Sequence, residues 1–312
     1  MKTRRCLLFL ILCMPYLFGL DTVKGEGSGK VIQVYAGGVA GIEALAQAET
    51  SEQFRKDGGG VYLHNSGWAT LTHEQQRRVL SIFKDRPVAI ELGFKEGAAP
   101  WAKRLADGYL SLGIDPNFIA ANAFDGNNKP TADQWKRYST ALRDAGLRNT
   151  ALILPTFEYA NFGPNLATLS ENTVSKRKDF QEILKTAGGI VLDVPPQYAF
   201  SREENYRLWV VDAIHWARQR NLVVVWITSP HHSGDTFLDD TERFLRYLEQ
   251  QDALPTIIVS ENYVAEPADD YPNIVGHEDR PNTTLGVARQ LLKTFVGDNE
   301  TNNEQDGSSY SR

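Results

Sequence analysis

The chain has 312 residues, 42% of them hydrophobic and 10% aromatic, with a formal net charge of −6. That length gives ample material for a large core, and (β/α) barrels use it as one domain. The mild acidity and the lack of a lysine- and arginine-rich stripe set nucleic acid aside as a partner.

Lys2, Arg4 and Arg5 precede an uncharged run over residues 6–20. Charge, then a short apolar core, then small and polar residues is the pattern of a secretory signal. The run is short for a membrane span. Residues 1–25 are therefore expected to be a signal peptide, residues 26–297 a single barrel domain and residues 298–312 a disordered polar tail. The expected location is secreted or periplasmic, with no stable membrane anchor after cleavage, and the expected state is a monomer. Cys6 and Cys13 both lie in the leader. The mature chain would then have no thiol, which excludes a cysteine nucleophile and a cysteine-ligated metal.

Eight strand-like runs follow in order, at residues 31–36, 60–63, 87–93, 118–123, 151–156, 190–194, 222–227 and 256–259. Segments with apolar spacing near 3.6 lie between most of them. After the sixth run, Tyr206, Trp209, Val210, Ala213 and Ala217 share one helical face. Thr72 with Gln75, Thr131 with Gln134, Ser201 with Glu204 and Asp239 with Glu242 fit a polar cap with an acid or amide three residues on. Gly113, Gly146 and Gly188 stand where left-handed caps would end helices. Eight alternations in order, without a dinucleotide glycine fingerprint, predict an α/β fold: a single closed (β/α)8 TIM barrel.

In such a barrel the carboxyl ends of the strands share one face, and chemistry is placed there. The fifth run, Ala151-Leu-Ile-Leu, leads into Phe157-Glu158-Tyr159. The other strand ends bring His64, Asn65 and Trp68; Glu91; Asn122 and Asp125; Asp193; Trp226, His231 and His232; and Glu261 and Tyr263. Carboxylates and aromatics dominate, and basic residues are scarce. Aromatic faces stack on sugar rings while acids and amides bind hydroxyls. Glycoside hydrolysis uses two carboxyl groups flanking the scissile bond. Glu158 and Glu261 stand three strands apart. In outline the arrangement resembles the retaining barrel glycosidases, which carry their two glutamates on strands separated by the same step. Phe157 stands where that group usually has an asparagine.

The resulting expectation is a glycoside hydrolase acting on a carbohydrate substrate. Glu158 would be the acid/base, Glu261 the nucleophile and Asp193 a supporting catalytic group. Glu91, His64, Asn65, Trp68, Asn122, Asp125, Tyr159, Trp226 and Tyr263 would bind substrate, with no cofactor and no metal. Glu91, behind the apolar Val88-Ala-Ile90, also reads as a buried, paired group. An alternative takes His64, His231 and His232 with Glu91, Asp193 and Glu261 as a zinc or manganese site. A metal-free histidine pair would instead act on a phosphodiester or ester. A third reading is a carbohydrate-binding barrel without turnover.

Overall fold

The computed structural model describes residues 30–31, 33–38, 48–93, 98–114, 116–122, 132–147, 151–154, 183, 187–201, 204–230, 234–262 and 279–297. The expected signal peptide and tail lie outside them. Among the described residues, no helix is long and apolar enough to cross a membrane.

Eight parallel strands close into a barrel, each paired with its neighbours in chain order. They are β1 (Gln33–Gly38), β2 (Gly60–His64), β3 (Val88–Gly93), β4 (Phe118–Asn122), β5 (Ala151–Leu154), β6 (Gly189–Asp193), β7 (Val223–Thr228) and β8 (Ile257–Asn262). The helices are α1 (Ala48–Lys56), α2 (Asn65–Thr70), α3 (His73–Ile82), α4 (Ala98–Ser111), α5 (Ala132–Asp144), α6 (Pro196–Ser201), α7 (Glu204–Arg218), α8 (Phe237–Gln250) and α9 (Thr284–Phe295). The closing seam runs from Gln33 opposite Ile257 to Gly38 opposite Asn262. The single (β/α)8 barrel expected from the alternation is thus the observed fold.

Two differences bear on the site. His64 and Glu261, expected just past their strands, are strand residues. Parallel pairing continues through them, His64 opposite Glu91 and Glu261 opposite Gly37.

Strand alternation separates two apolar layers. Tyr35, Tyr62, Ala89, Phe118, Ala120, Val191, Val225, Ile227 and Val259 fill the barrel interior. The intervening residues pack against the helices: Val34, Val61, Leu63, Ile90, Leu192, Val224, Trp226 and Ile258 join the α7 residues Tyr206, Trp209, Val210, Ala213 and Ala217. The shared face read from the α7 sequence is therefore its buried face.

Local signals hold at the ends of several elements. Thr72 and Gln75 form a reciprocal capping box at α3, Thr72 N–H donating to Gln75 Oε1 at 2.8 Å. Gly113 and Gly146 adopt φ of 77° and 114°. Asp239 is an exception. The helix α8 begins earlier, at Phe237 behind Thr236, because Phe237 is fully buried and anchors the first turn.

The barrel interior alternates large rings with missing side chains. Tyr35 meets Phe118 edge-on at 5.4 Å, and Tyr62 lies 6.3 Å from the same ring. Gly60 leaves room for Tyr35: a Cβ there would lie 2.7 Å from its ring. At Gly37 a Cβ would lie 1.9 Å from the Tyr62 carbonyl oxygen. This contact is with backbone, so β1 and β2 would have to part.

Gly37→Ala is expected to destabilise the barrel by roughly 1–3 kcal/mol or more, the usual range for overpacking. Gly108, within α4, has open space around it. Gly108→Ala should stabilise by roughly 0.5–1 kcal/mol through helix propensity. Urea unfolding of both variants checks the pair; equal effects would contradict the close approach at Gly37.

Candidate active site

Period-2 alternation projects Tyr62 and His64 from one face of β2, and Ala89 and Glu91 from one face of β3. Tyr62 and Ala89 are interior residues, so His64 and Glu91 point into the barrel with them. The same argument turns Glu261 inward behind Val259, and Asp193 inward behind Val191.

The structure brings His64, Glu91 and Glu261 together. Each offers a ligand-type atom within 4.8 Å of the other two. Glu91 is bound on both sides. The Tyr62 hydroxyl donates to Glu91 Oε2 at 2.5 Å. His64 Nε2 lies 3.3 Å from Glu91 Oε1. Glu91 and Glu261 are 7% and 4% exposed; His64 and Asp193 are half-buried. No hydrogen bond to the Glu261 carboxyl is found among the described residues.

Two buried acids side by side cannot both carry full charge cheaply. Burial raises the Glu261 pKa well above the ordinary carboxylate range, and the charges of Glu91 and then Asp193 push it further. Burial also raises the Tyr62 pKa well above that of an ordinary tyrosine, with the charges of Glu91 and Glu261, the hydrogen bond to Glu91 and the charge of Asp193 adding to it. The interior thus gathers three acids, one imidazole and one tyrosine hydroxyl at the mouth of the barrel. A cation would relieve the repulsion, and one imidazole with carboxylates suits zinc or manganese.

Several expected substrate contacts are placed elsewhere. Trp68 is buried, stacked on Tyr109 at 6.0 Å, and joins the layer between strands and helices. Trp226 is fully buried in that layer, its Nε1–H donating to the Val194 carbonyl at 3.0 Å. Trp226 alternates with the interior residues Val225 and Ile227, so it must face outward. Neither indole offers a ring to a ligand. Asn65 begins α2 and Asn122 ends β4, but their side chains lie outside the description. Asp125, Glu158, Tyr159, His231, His232 and Tyr263 lie outside the described residues altogether. Sequence reasoning passed over Tyr62. Its signal was its position two residues before His64 within one strand.

No family model matches the chain, and no curated protein sequence does. Solved structures match at the level of overall fold. KGPDC from Streptococcus mutans, in complex with D-R5P, is 12% identical over 86% of this chain and 99% of its own, with a TM-score of 0.47. Phosphonopyruvate hydrolase is 12% identical over 78% of this chain and 80% of its own, with a TM-score of 0.46. Oxaloacetate acetylhydrolase gives 12%, the same 78% and 80%, and a TM-score of 0.43.

The glycoside hydrolase expectation is corrected. Among the described residues, the acid assembled with Glu261 is Glu91, with an imidazole beside it; Glu158 lies outside them. The indoles expected to bind sugar are packed behind the strands. The aromatic count that suggested carbohydrate came in part from the layer that holds the helices on.

Glu261 gives a pH signature. Its folded pKa is raised, so its protonated form favours the folded state. That contribution is complete below the unfolded carboxyl value of about 4.3 and is lost as pH rises through the folded value. Glu261→Gln should therefore stabilise the metal-free protein at pH 8 and change it little at pH 4.5. Urea midpoints across that range check it; a difference that does not grow with pH would mean Glu261 is not buried beside another acid.

Proposed function

We propose that this chain is a metal-assisted hydrolase acting on an ester or a phosphodiester. One observation carries the reading: His64, Glu91 and Glu261, from three strands, offer ligand-type atoms within 4.8 Å of one another at the carboxyl-terminal mouth of a (β/α)8 barrel. The donor set fits a hard or borderline divalent ion, and Glu261 is buried with nothing else described to bind.

When bound, a divalent cation supplies Lewis-acid polarisation of a carbonyl or phosphoryl oxygen and acidifies water. The protein's own part is to hold and orient. His64, Glu91 and Glu261 would hold the cation. Buried walls around Glu91 and Glu261 exclude bulk water and strengthen each electrostatic contact. Asp193, half-buried on β6 and close enough for its charge to act on Glu261, would be the nearby carboxylate able to accept a proton from water acidified by a bound cation. In a second reading His64 works without metal, as a base oriented by Glu91; its support is the 3.3 Å contact between Nε2 and Oε1.

The test is hydrolysis of a panel of p-nitrophenyl carboxylic esters and bis(p-nitrophenyl) phosphate by the metal-stripped protein, before and after adding Mn2+ or Zn2+. Activity should appear only with metal and be removed by a chelator. Glu261→Gln and His64→Ala should each lower kcat/KM by at least ~10²-fold, more than the ~10–100-fold expected for partners that only orient a ligand. Activity that ignores the chelator but vanishes in His64→Ala would move the assignment to the metal-free base. Full activity in Glu261→Gln would overturn the metal reading.

A further inference from the structure

Tyr62 stands apart from the groups that would hold a cation. It is fully buried, and its ring lies against Phe118 in the barrel interior. It sits one inward position below His64 on β2. Its hydroxyl reaches up to Glu91 Oε2 at 2.5 Å, while the other oxygen of Glu91 is the one beside His64. The two oxygens of Glu91 therefore have separate partners, one below and one at the mouth. A carboxylate held at only one oxygen can swing about its Cγ–Cδ bond. One pinned from beneath by a packed ring cannot.

The surrounding backbone maintains that arrangement. Gly37 pairs with Tyr62 on one side and with Glu261 on the other. It puts no side chain between them, so the tyrosine and the second glutamate share one compartment.

We propose that Tyr62 is a positioning residue that sets the divalent-cation affinity of the cluster, by fixing one oxygen of Glu91 so that the other faces the centre shared with His64 and Glu261. The inference rests on the metal-assisted reading above. Outer partners that orient a ligand contribute ~10–100-fold to metal affinity.

The experiment is isothermal titration of Mn2+ and of Zn2+ into the metal-free full chain, Tyr62→Phe, Glu91→Gln and the double variant. Tyr62→Phe keeps the ring and removes one oxygen. Its Kd should rise by ~10–100-fold, with a cooperative thermal melt retained. In the Glu91→Gln background the same change should add less than about twofold, the margin within which unconnected sites are additive. Two outcomes would overturn the proposal while leaving the metal reading in place. One is a Tyr62→Phe Kd within about twofold of the parent, even with a lowered melting temperature; the other is full additivity in the double variant. Absence of saturable binding by the parent chain would overturn both. Proton NMR of the unsubstituted protein covers a failure of Tyr62→Phe to fold. The protected Tyr62 hydroxyl proton should give a downfield resonance that shifts in step with cation binding, and an unmoved resonance would overturn the proposal.

Discussion

Two carboxyl groups buried beside each other are the constraint on which the rest of this barrel turns. Glu91 and Glu261 lie in a water-poor interior where like charges repel strongly. The fold reduces that cost for Glu91 with a hydroxyl from Tyr62 and an imidazole from His64. Burial and the neighbouring acids leave Glu261 inclined to keep its proton. An apolar replacement for either acid would suit a barrel interior better. Keeping both acids sacrifices stability, as functional centres commonly do.

Everything beneath the cluster supports it. Tyr35, Tyr62 and Phe118 form a ring-filled interior below the acids. These rings fit because glycine stands where they need space: Gly60 opens room for Tyr35, and Gly37 lets β1 lie against the Tyr62 backbone. Gly189 does the same on the far side, where a Cβ would lie 2.2 Å from the Val223 carbonyl oxygen. Outside, Trp226 joins two strand exits by its bond to Val194, the residue after Asp193. A buried threonine pair, Thr228 and Thr241 at 3.0 Å, links β7 to α8. The site is thus held by strands and packed rings, which suits groups that must stay within fractions of an ångström.

The barrel was legible because alternation of strands and helices is written in local hydrophobic period. The acids at the strand ends were legible for the same reason: Glu91, Asp193 and Glu261 each stand at or near the end of an apolar run. Which of them converge was not. That depends on register across the seam, which sets Glu261 beside Gly37 and His64 beside Glu91. No local pattern encodes it. The tryptophans mislead in the sequence because composition carries no information about strand parity. Trp226 lies between two interior residues of its own strand and so could not face the mouth. Tyr62 was hidden by the opposite effect, since an aromatic residue in an apolar strand reads as core. It is core, and its hydroxyl is also part of the site.

His64, Glu91 and Glu261 come from β2, β3 and β8, strands made contiguous by β1. β1 itself puts only the bare backbone of Gly37 at that level. The cluster is therefore eccentric: it hugs one wall of the barrel instead of standing on its axis. Any molecule entering the mouth would meet these groups from one flank, with the opposite wall at its back. The strand order itself thus sets the side from which the cluster is approached.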